Sequence, residues 1–183
     1  MEGQGQREDI ARVEGAPEDP DVACLRSALG AGVGGAAAHR GQVALLLAPE
    51  SLLEAARICR EELGYEVLLS VCGVDCLELD RPHRFEVVYE LLSISRSRRL
   101  RLKVPARGDP PRVPTLIPVW AGANWHERET HELVGVGFEG HPNLEPLILP
   151  EDFVGHPHRR DFDVGAEEVA FTFRPNPKES QGG

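Results

Sequence analysis

The sequence predicts an α+β fold in which a single mixed or antiparallel sheet of about four strands has helices packed on one face, followed by an extended C-terminal arm. Two observations predict this class. Segments with alternating apolar residues recur between residues 42 and 104, and one strongly amphipathic helix lies among them. The chain also has 183 residues, 41% of them apolar, which suffices for one domain with a real core. We assign residues 21–161 to that domain.

The first half of the domain alternates helix and strand. Residues 21–29 predict a short helix and residues 42–48 a strand. Ser51 begins a second helix, because Glu54 three positions later completes a capping box, and Gly64 ends it. The apolar face of this second helix consists of Leu52, Ala55, Ala56, Cys59 and Leu63.

Three strands follow, at residues 65–71, 84–92 and 99–104. The short connection between the last two predicts a hairpin. The strand–helix–strand unit before them is long enough for a right-handed crossover, so we expect an arrangement similar to a split βαβ unit. The side chains expected on the core face are Tyr65, Val67, Leu69, Val71, Phe85, Val87, Tyr89, Leu91, Leu100, Leu102 and Val104.

The two ends of the chain are predicted to lie outside the core. Residues 1–20 are acidic and contain no apolar run of the kind that a secretory signal requires, so we expect a flexible tail. Residues 162–183 lack periodicity and hold two isolated apolar anchors, Phe171 and Phe173. We expect this arm to be mobile in the free chain and ordered on a partner. No apolar run approaches the roughly 20 residues of a membrane span.

Charge and glycine pattern argue against nucleic-acid and nucleotide binding. The net charge of -10 disfavours a general affinity for nucleic acid or anionic membrane. Residues 30–35 match G-x-G-x-x-G, but a helix precedes them and a strand follows, the reverse of the dinucleotide motif. We expect a flexible turn there, with nucleotide binding as the alternative. We interpret a basic run as a solvated or partner-facing sheet face, with phosphate contact as the alternative: Arg96, Arg98, Arg99, Arg101, Lys103 and Arg107.

The cysteines are predicted to be ordinary core residues. Cys24, Cys59, Cys72 and Cys76 accompany no export signal, so a disulfide framework is not expected. The pair Cys72 and Cys76 has no matching second pair, whereas zinc and iron–sulfur sites usually need four ligands. A metal or cluster site remains the alternative.

The stretch HERETHE at residues 126–132 resembles a zinc-protease helix at first sight. The zinc motif H-E-x-x-H places its histidines four residues apart, but His126 and His131 are five apart, which leaves them about 140° out of register on a helix. We therefore predict no metal site in this chain. The alternative is a metal hydrolase with a site assembled from several loops, drawing on the histidine-rich window of His126, His131, His141, His156 and His158.

A family resemblance accounts for the same window. The runs WHERETHELVGVGFEGHP (residues 125–142) and PEDFVGHPHRRD (residues 150–161) resemble the signature of the C subunit of NADH-quinone oxidoreductase, the thirty-kilodalton subunit family of respiratory complex I. The resemblance covers roughly residues 40–162. The matching residues are Trp125, Glu127, Arg128, Glu129, Gly135, Phe138, Gly140, His141, Pro142, Leu144, Pro150, Glu151, Asp152, Gly155, His156, Pro157, Arg159 and Asp161, with Pro114, Thr115, Trp120, Ala123 and Asn124 upstream.

The resemblance implies a scaffold. Such a chain has no catalytic, cofactor-binding or metal-binding residues, and the FMN, iron–sulfur clusters and quinone of the complex lie in other subunits. It docks on the D subunit, which helps to form the quinone site, at the cytoplasmic face of a bacterial inner membrane. The signature residues are then expected at a subunit interface. Within them we expect Arg128 to lie between the carboxylates of Glu127 and Glu129 in a charged network, with plain solvated helix charges as the alternative.

Some positions depart from the family pattern. His131 and Glu132 stand where the family has an aromatic residue and Asp, and Val134 replaces another aromatic residue. Glu145 and Pro146 replace a pair of arginines, which reverses the local charge. These departures leave open the equivalent subunit of an energy-converting membrane-bound hydrogenase or related dehydrogenase.

Overall fold

The computed structural model describes residues 19–163. Most of the predicted N-terminal tail and C-terminal arm therefore lies outside the described residues. The helices are α1 (Pro20–Leu29), α2 (Leu52–Glu61) and α3 (Ala123–Val134), and the strands are β1 (Val33–His39), β2 (Gln42–Leu47), β3 (Val67–Asp75), β4 (Phe85–Ser93), β5 (Arg98–Pro105), β6 (Arg112–Pro114) and β7 (Gly137–Glu139).

The main sheet has five strands in the order β1-β2-β5-β4-β3. Strands β2 and β5 pair in parallel, and the other neighbours pair antiparallel, so the sheet is mixed. It follows that β2 and β3, the strands joined through α2, run parallel with β5 and β4 between them. This is the split βαβ arrangement, and the α+β class and the β4–β5 hairpin are confirmed. Strands β6 and β7 form a separate parallel pair.

Strand β1 is the fifth strand, which the sequence analysis did not predict. The expected flexible turn over residues 30–35 is wrong in its second half: Gly30–Gly32 form a 3-10 turn, but Val33 already begins β1. The strand consists of small residues and a terminal histidine, so it has no alternation of large apolar side chains to reveal it. It pairs with β2 through a tight turn at Arg40 and Gly41, both with positive φ.

The faces predicted for the central strands are confirmed. The apolar residues predicted on the core face of β4 and β5 are all buried. The alternate residues form ion pairs between the two strands, Arg101 with Glu90 and Lys103 with Glu86. These two members of the basic run therefore pair within the sheet. Two further arginines of the basic run bind carboxylates at the start of α1: Arg96 donates to Asp21, and Arg98 donates to Asp19.

Strand β3 departs from the predicted alternation. Tyr65 and Val71 are buried as expected, but Leu69 is exposed. The pairing of β3 with β4 shifts register between Leu68 and Ser70, which is a β-bulge. Because a bulge inserts one residue into the strand, the side chain at Leu69 no longer follows the two-residue period.

Helix α2 has the predicted face but not the predicted cap. Its buried residues include four of the five expected ones, and Leu63 packs against the core beyond its end. The capping box is wrong, because Ser51 makes no side-chain cap hydrogen bond. A 3-10 turn at Pro49–Ser51 precedes the helix and brings the chain into it.

Helix α3 covers the outer edge of β3. Thr130 donates a hydrogen bond of 3.1 Å to the carbonyl of Val71, a backbone group on the edge strand. The close approach depends on Gly73 of β3, where an added Cβ would lie 2.9 Å from Thr130 Cγ2 and 3.1 Å from Val134 Cβ. The helix thus protects the edge from pairing with another strand.

We expect Gly73→Ala to destabilise the chain by about 1–3 kcal/mol, because the added methyl group overpacks the contact between α3 and β3. Urea unfolding of the purified chain measures the change. Gly122→Ala is the matched control, since nothing lies within 4 Å of its added Cβ. Equal stability of the two variants would contradict the packing argument.

Candidate docking surface

Helix α3 contains the HERETHE stretch. It forms hydrogen bonds with three loops, at residues 115–117, 145–149 and 156–159. The helix follows Gly122 and ends at Gly135, whose φ of 82° is in the left-handed region. A Cβ at Gly135 would also lie 2.2 Å from Arg159 Nη2 and 2.5 Å from His156, so glycine is required there on both counts. Side chains and backbone carbonyls of α3 then hold the segments before and after it.

Glu127 is a fully buried carboxylate that holds the loop before α3. It accepts hydrogen bonds of 2.5 Å from the Thr115 hydroxyl and 2.7 Å from the backbone N–H of Leu116. Thr115 Oγ1 in turn accepts from the N–H of Ile117 at 3.2 Å. Burial raises the pKa of Glu127 to about 7, although both hydrogen bonds act in the opposite direction.

Arg128 does not form the expected charged network. Its guanidinium donates to two backbone carbonyls, from Nε to Glu145 at 2.9 Å and from Nη2 to Pro146 at 3.2 Å. It also lies over the ring of Trp125, 5.4 Å from the centroid. The interpretation as a bridge between Glu127 and Glu129 is therefore wrong: Glu127 points into the core, and Arg128 fastens the loop after β7.

Glu132 organises the same loop from the other side, a role that sequence reasoning missed. Its carboxylate accepts from three successive backbone N–H groups, those of Leu147, Ile148 (2.8 Å) and Leu149 (3.1 Å). The carboxylate is almost fully buried. A buried charge is tolerated where hydrogen bonds replace its hydration, and here one loop supplies all three.

His141, in the first Gly-His-Pro turn, completes the bonding of this loop. Its Nδ1 accepts from the N–H of Asn143 at 3.1 Å, and its Nε2 lies 3.4 Å from the carbonyl of Asn124. Because a carbonyl only accepts, the neutral Nε2–H form satisfies both contacts. Burial lowers the pKa of His141, which favours the same neutral form. Asn143 then accepts from the N–H of Glu145 at 2.9 Å.

The second Gly-His-Pro turn binds the C-terminal end of α3. A helix leaves its last carbonyls without helical partners, and residues 156–159 supply donors for them. His156 Nδ1 donates to the carbonyl of Glu132 at 2.8 Å, and the N–H of His158 donates to that of Leu133 at 2.9 Å. Arg159 Nε donates to Val134 at 2.7 Å.

Asp75 and Arg84 clamp the end of this segment to the sheet. Arg84 donates to the buried carboxylate of Asp75 at 3.0 Å and to Asp161 at 2.6 Å, and the N–H of Arg160 also donates to Asp75. Burial alone would raise the pKa of Asp75, but hydrogen bonds from Arg84 and from the N–H groups of Arg160 and Leu77 hold it below its usual value. Neither Asp75 nor Arg84 was singled out from the sequence.

The histidines and cysteines do not converge. Within residues 19–163, no group of three or more His, Cys, Asp or Glu side chains has the arrangement of a metal site. His131 directs Nδ1 at the carbonyl of Val136, 3.0 Å away. Among the cysteines, Cys59 and Cys76 are buried and Cys24 half-buried, but Cys72 is exposed on β3, so the expectation of a core position is wrong for that residue.

The loops held by α3 present an apolar strip to solvent. We use the name apolar strip for five exposed side chains: Trp125 (58% exposed), Leu147 (39%), Ile148 (61%), Phe153 (38%) and Val154 (87%). Arg128 joins its parts, since it covers the Trp125 ring and binds the carbonyls that precede Leu147. Phe153 stacks on Phe162 with centroids 5.9 Å apart.

The signature residues divide into an internal and an external set. The buried members are Glu127, Gly135 and Phe138, and the half-buried members are Arg128, His141, Leu144, His156, Pro157 and Arg159. The exposed members are Trp125, Glu129, Gly140, Pro142, Pro150, Glu151, Asp152, Gly155 and Asp161. The second set offers a partner the most accessible surface.

Comparison with known proteins identifies the family. The sequence profile described as "Respiratory-chain NADH dehydrogenase, 30 Kd subunit" matches residues 45–168. The chain belongs to this family. The predicted resemblance is thereby confirmed, together with the role of a 30 kDa subunit of a respiratory NADH-quinone oxidoreductase.

Individual relatives agree with the family assignment. The chain is 47% identical over 151 residues to the C subunit of NADH-quinone oxidoreductase from Roseiflexus sp. (strain RS-1), covering 81% of this chain and 86% of that protein. It is 39% identical to the C subunit of the Coxiella burnetii enzyme, covering 70% of this chain and 71% of the relative. Both matches include most of the domain described above.

Solved structures share the fold of this 30 kDa subunit. A trypsin-resistant fragment of Nqo5 superposes with a TM-score of 0.60 at 32% identity, covering 67% of this chain and 97% of the fragment. A chain of the archaeal membrane-bound sulfane sulfur reductase superposes with a TM-score of 0.69 at 22% identity. The match covers 85% of this chain and 94% of that chain, which shows a common fold. Among the helices of residues 19–163, none has the length and apolar character needed to cross a membrane.

We expect Glu127 to make the stability of the chain depend on pH. Its pKa of about 7 in the folded chain lies above the ordinary 4.5, so the folded state binds the extra proton between these values. Its contribution is therefore fully present below pH 4.5 and is lost as pH rises through 7. Relative to Glu127→Gln, the wild type should lose on the order of 3 kcal/mol between pH 4.5 and 8. Urea unfolding of both proteins across this range measures the difference, and a difference that does not vary with pH would contradict the buried carboxylate.

We expect Glu132→Ala to release the loop rather than unfold the domain. Hydrogen bonds to a charged acceptor contribute about 1.5–3 kcal/mol each, so amide exchange at residues 147–149 should accelerate roughly tenfold or more. Hydrogen exchange with mass spectrometry measures this. Glu129→Ala, an exposed position on the same helix, is the control and should leave the exchange unchanged. Unaltered exchange in Glu132→Ala would show that another contact holds the loop.

Proposed function

We propose that this chain is a cofactor-free structural and assembly subunit in the peripheral arm of its NADH-quinone oxidoreductase, bound to the D subunit that helps to form the quinone site. It acts without catalytic residues of its own. FMN, iron–sulfur clusters and quinone bind in other subunits. The chain lies peripherally at the cytoplasmic face of the inner membrane, and its exposed signature residues contact the partner.

The internal use of four signature side chains, and of Glu132, which lies among them in the sequence, supports this proposal. Glu127, Glu132, His141, His156 and Arg159 are the kinds of residue that do acid–base chemistry or bind anions, but each is engaged with backbone groups of its own chain. A catalytic acid or base needs a free position facing its substrate. These residues instead determine the conformation of three loops.

The electron donor is proposed from the more similar relatives. The proteins at 47% and 39% identity are named as C subunits of NADH-quinone oxidoreductase. The sulfane sulfur reductase chain, at 22% identity, has the same fold and gives no support to a particular donor. We therefore propose NADH as the donor of the complex, ahead of the hydrogenase alternative. Mass spectrometry of the subunits that co-purify with the tagged chain from solubilised membranes distinguishes the two.

We expect Arg128→Ala to impair assembly more than folding. Its hydrogen bonds lie at a partly exposed position, where each contributes about 1 kcal/mol, so the isolated variant should melt within a few degrees of wild type. The loop at Glu145 and Pro146 loses its anchor, so the yield of tagged complex and the quinone reductase activity of the membranes should fall together, severalfold. Arg57→Ala, which removes an exposed arginine on α2 outside the signature, is the control. Normal assembly with loss of turnover alone would contradict the scaffold role.

A further inference from the structure

At Leu147 and Ile148 the apolar strip combines exposed side chains with a fixed backbone. The backbone of residues 145–149 is held by hydrogen bonds. Three of its N–H groups donate to Glu132, and the carbonyls of Glu145 and Pro146 accept from Arg128. With the backbone polar groups turned inward, the side chains of Leu147 and Ile148 point outward into solvent. An apolar surface whose backbone is already held by hydrogen bonds within the chain has little freedom left to lose on contact, which lowers the ordering cost of binding.

The charged residues of the loop that forms most of the strip are all negative. Residues 143–154 contain Glu145, Glu151 and Asp152 and no lysine or arginine. All three residues are exposed, and no ion pair engages their carboxylates within the described part of the chain. Arg128 reaches this loop but donates to carbonyls instead. The surface is therefore apolar with an acidic rim, which is complementary to an apolar surface with a basic rim.

Exposed apolar side chains elsewhere in the described chain lack this combination. Ile94 is 64% exposed but stands alone beside the basic residues Arg98 and Arg99 in the hollow at the end of the sheet. Leu77 and Leu79 flank Glu78, whose carboxylate already pairs with Arg160. Neither group combines an unpaired acidic rim with a backbone held at several successive positions: Leu77 donates one N–H to the buried Asp75, and Ile94 donates its N–H to the exposed Glu66.

We propose that the apolar strip is the docking surface of this subunit, and that it binds an apolar patch rimmed by lysine or arginine on another subunit of the complex. This inference rests on the proposed function and specifies the partner's chemistry. Leu147, Ile148 and Val154 enter the patch, and Glu145, Glu151 and Asp152 pair with its rim. A protein partner is favoured over a lipid surface, because the acidic rim repels anionic headgroups.

The test uses the full chain in its membrane complex. A benzophenone amino acid in place of Ile148 should crosslink to another subunit, whereas the same probe in place of Ile94 should not. Ile148→Asp should lower the yield of assembled complex tenfold or more, and Ile94→Asp, a matched isoleucine of similar exposure, should leave it unchanged. The double variant Glu151→Lys with Asp152→Lys should lower the yield severalfold, and rising salt should weaken the wild-type complex.

Each other result overturns a stated part of the proposal. Crosslinks from position 94 and not from 148, crosslinks to lipid, or normal assembly of Ile148→Asp would remove the strip as the docking surface. Normal assembly of the double lysine variant would remove the basic rim. Melting temperatures of the isolated variants confirm that each still folds. The proposed function fails separately: if the captured partners include no NADH-quinone oxidoreductase subunit, it is wrong even where the strip crosslinks to a protein.

Discussion

Two buried carboxylates on one helix determine the arrangement of the loops around it. Glu127 and Glu132 are five residues apart, so they project from α3 about 140° apart and reach segments on different sides of it. Desolvation of a carboxylate costs several kcal/mol unless hydrogen bonds replace the lost water. The N–H of Leu116 and the hydroxyl of Thr115 meet part of this need for Glu127, whose pKa burial still raises, and a row of three N–H groups meets it for Glu132. A loop path that moved these donors away would leave a buried carboxylate without hydrogen bonds.

At the C-terminal end of α3 the groups that need hydrogen-bond partners are the last backbone carbonyls of the helix. There the helix offers carbonyls, and the chain around His156, His158 and Arg159 returns as their donor. Arg84 and Asp75 then hold the end of that segment against the sheet. Much of the signature is thus explained by backbone groups that need hydrogen-bond partners within the chain.

Side-chain periodicity in the sequence predicts the layers of this fold but not the bonds between its loops. The alternation in β4 and β5 and the apolar face of α2 are correct, because burial of one face imposes a fixed period. Strand β1 escapes prediction because it has no large side chains, and Leu69 because a bulge shifts the period. The partners of Arg128 and Glu132 are backbone atoms 15 to 18 residues away on the chain, and no residue pattern identifies which carbonyl or N–H is left unpaired.

Buried charges seldom add net stability, since well-packed apolar residues do as well or better, but they restrict the chain to one arrangement. That restriction has a consequence at the surface of this subunit. A loop ordered only on contact would lose about 0.5–1.5 kcal/mol for each side chain immobilised, which would weaken binding through the strip. Because Glu132 and Arg128 fix the backbone before contact, most of that cost falls on folding instead of on association. Under the proposed docking, the free energy that folding loses in burying Glu132 is therefore a cost that association does not bear.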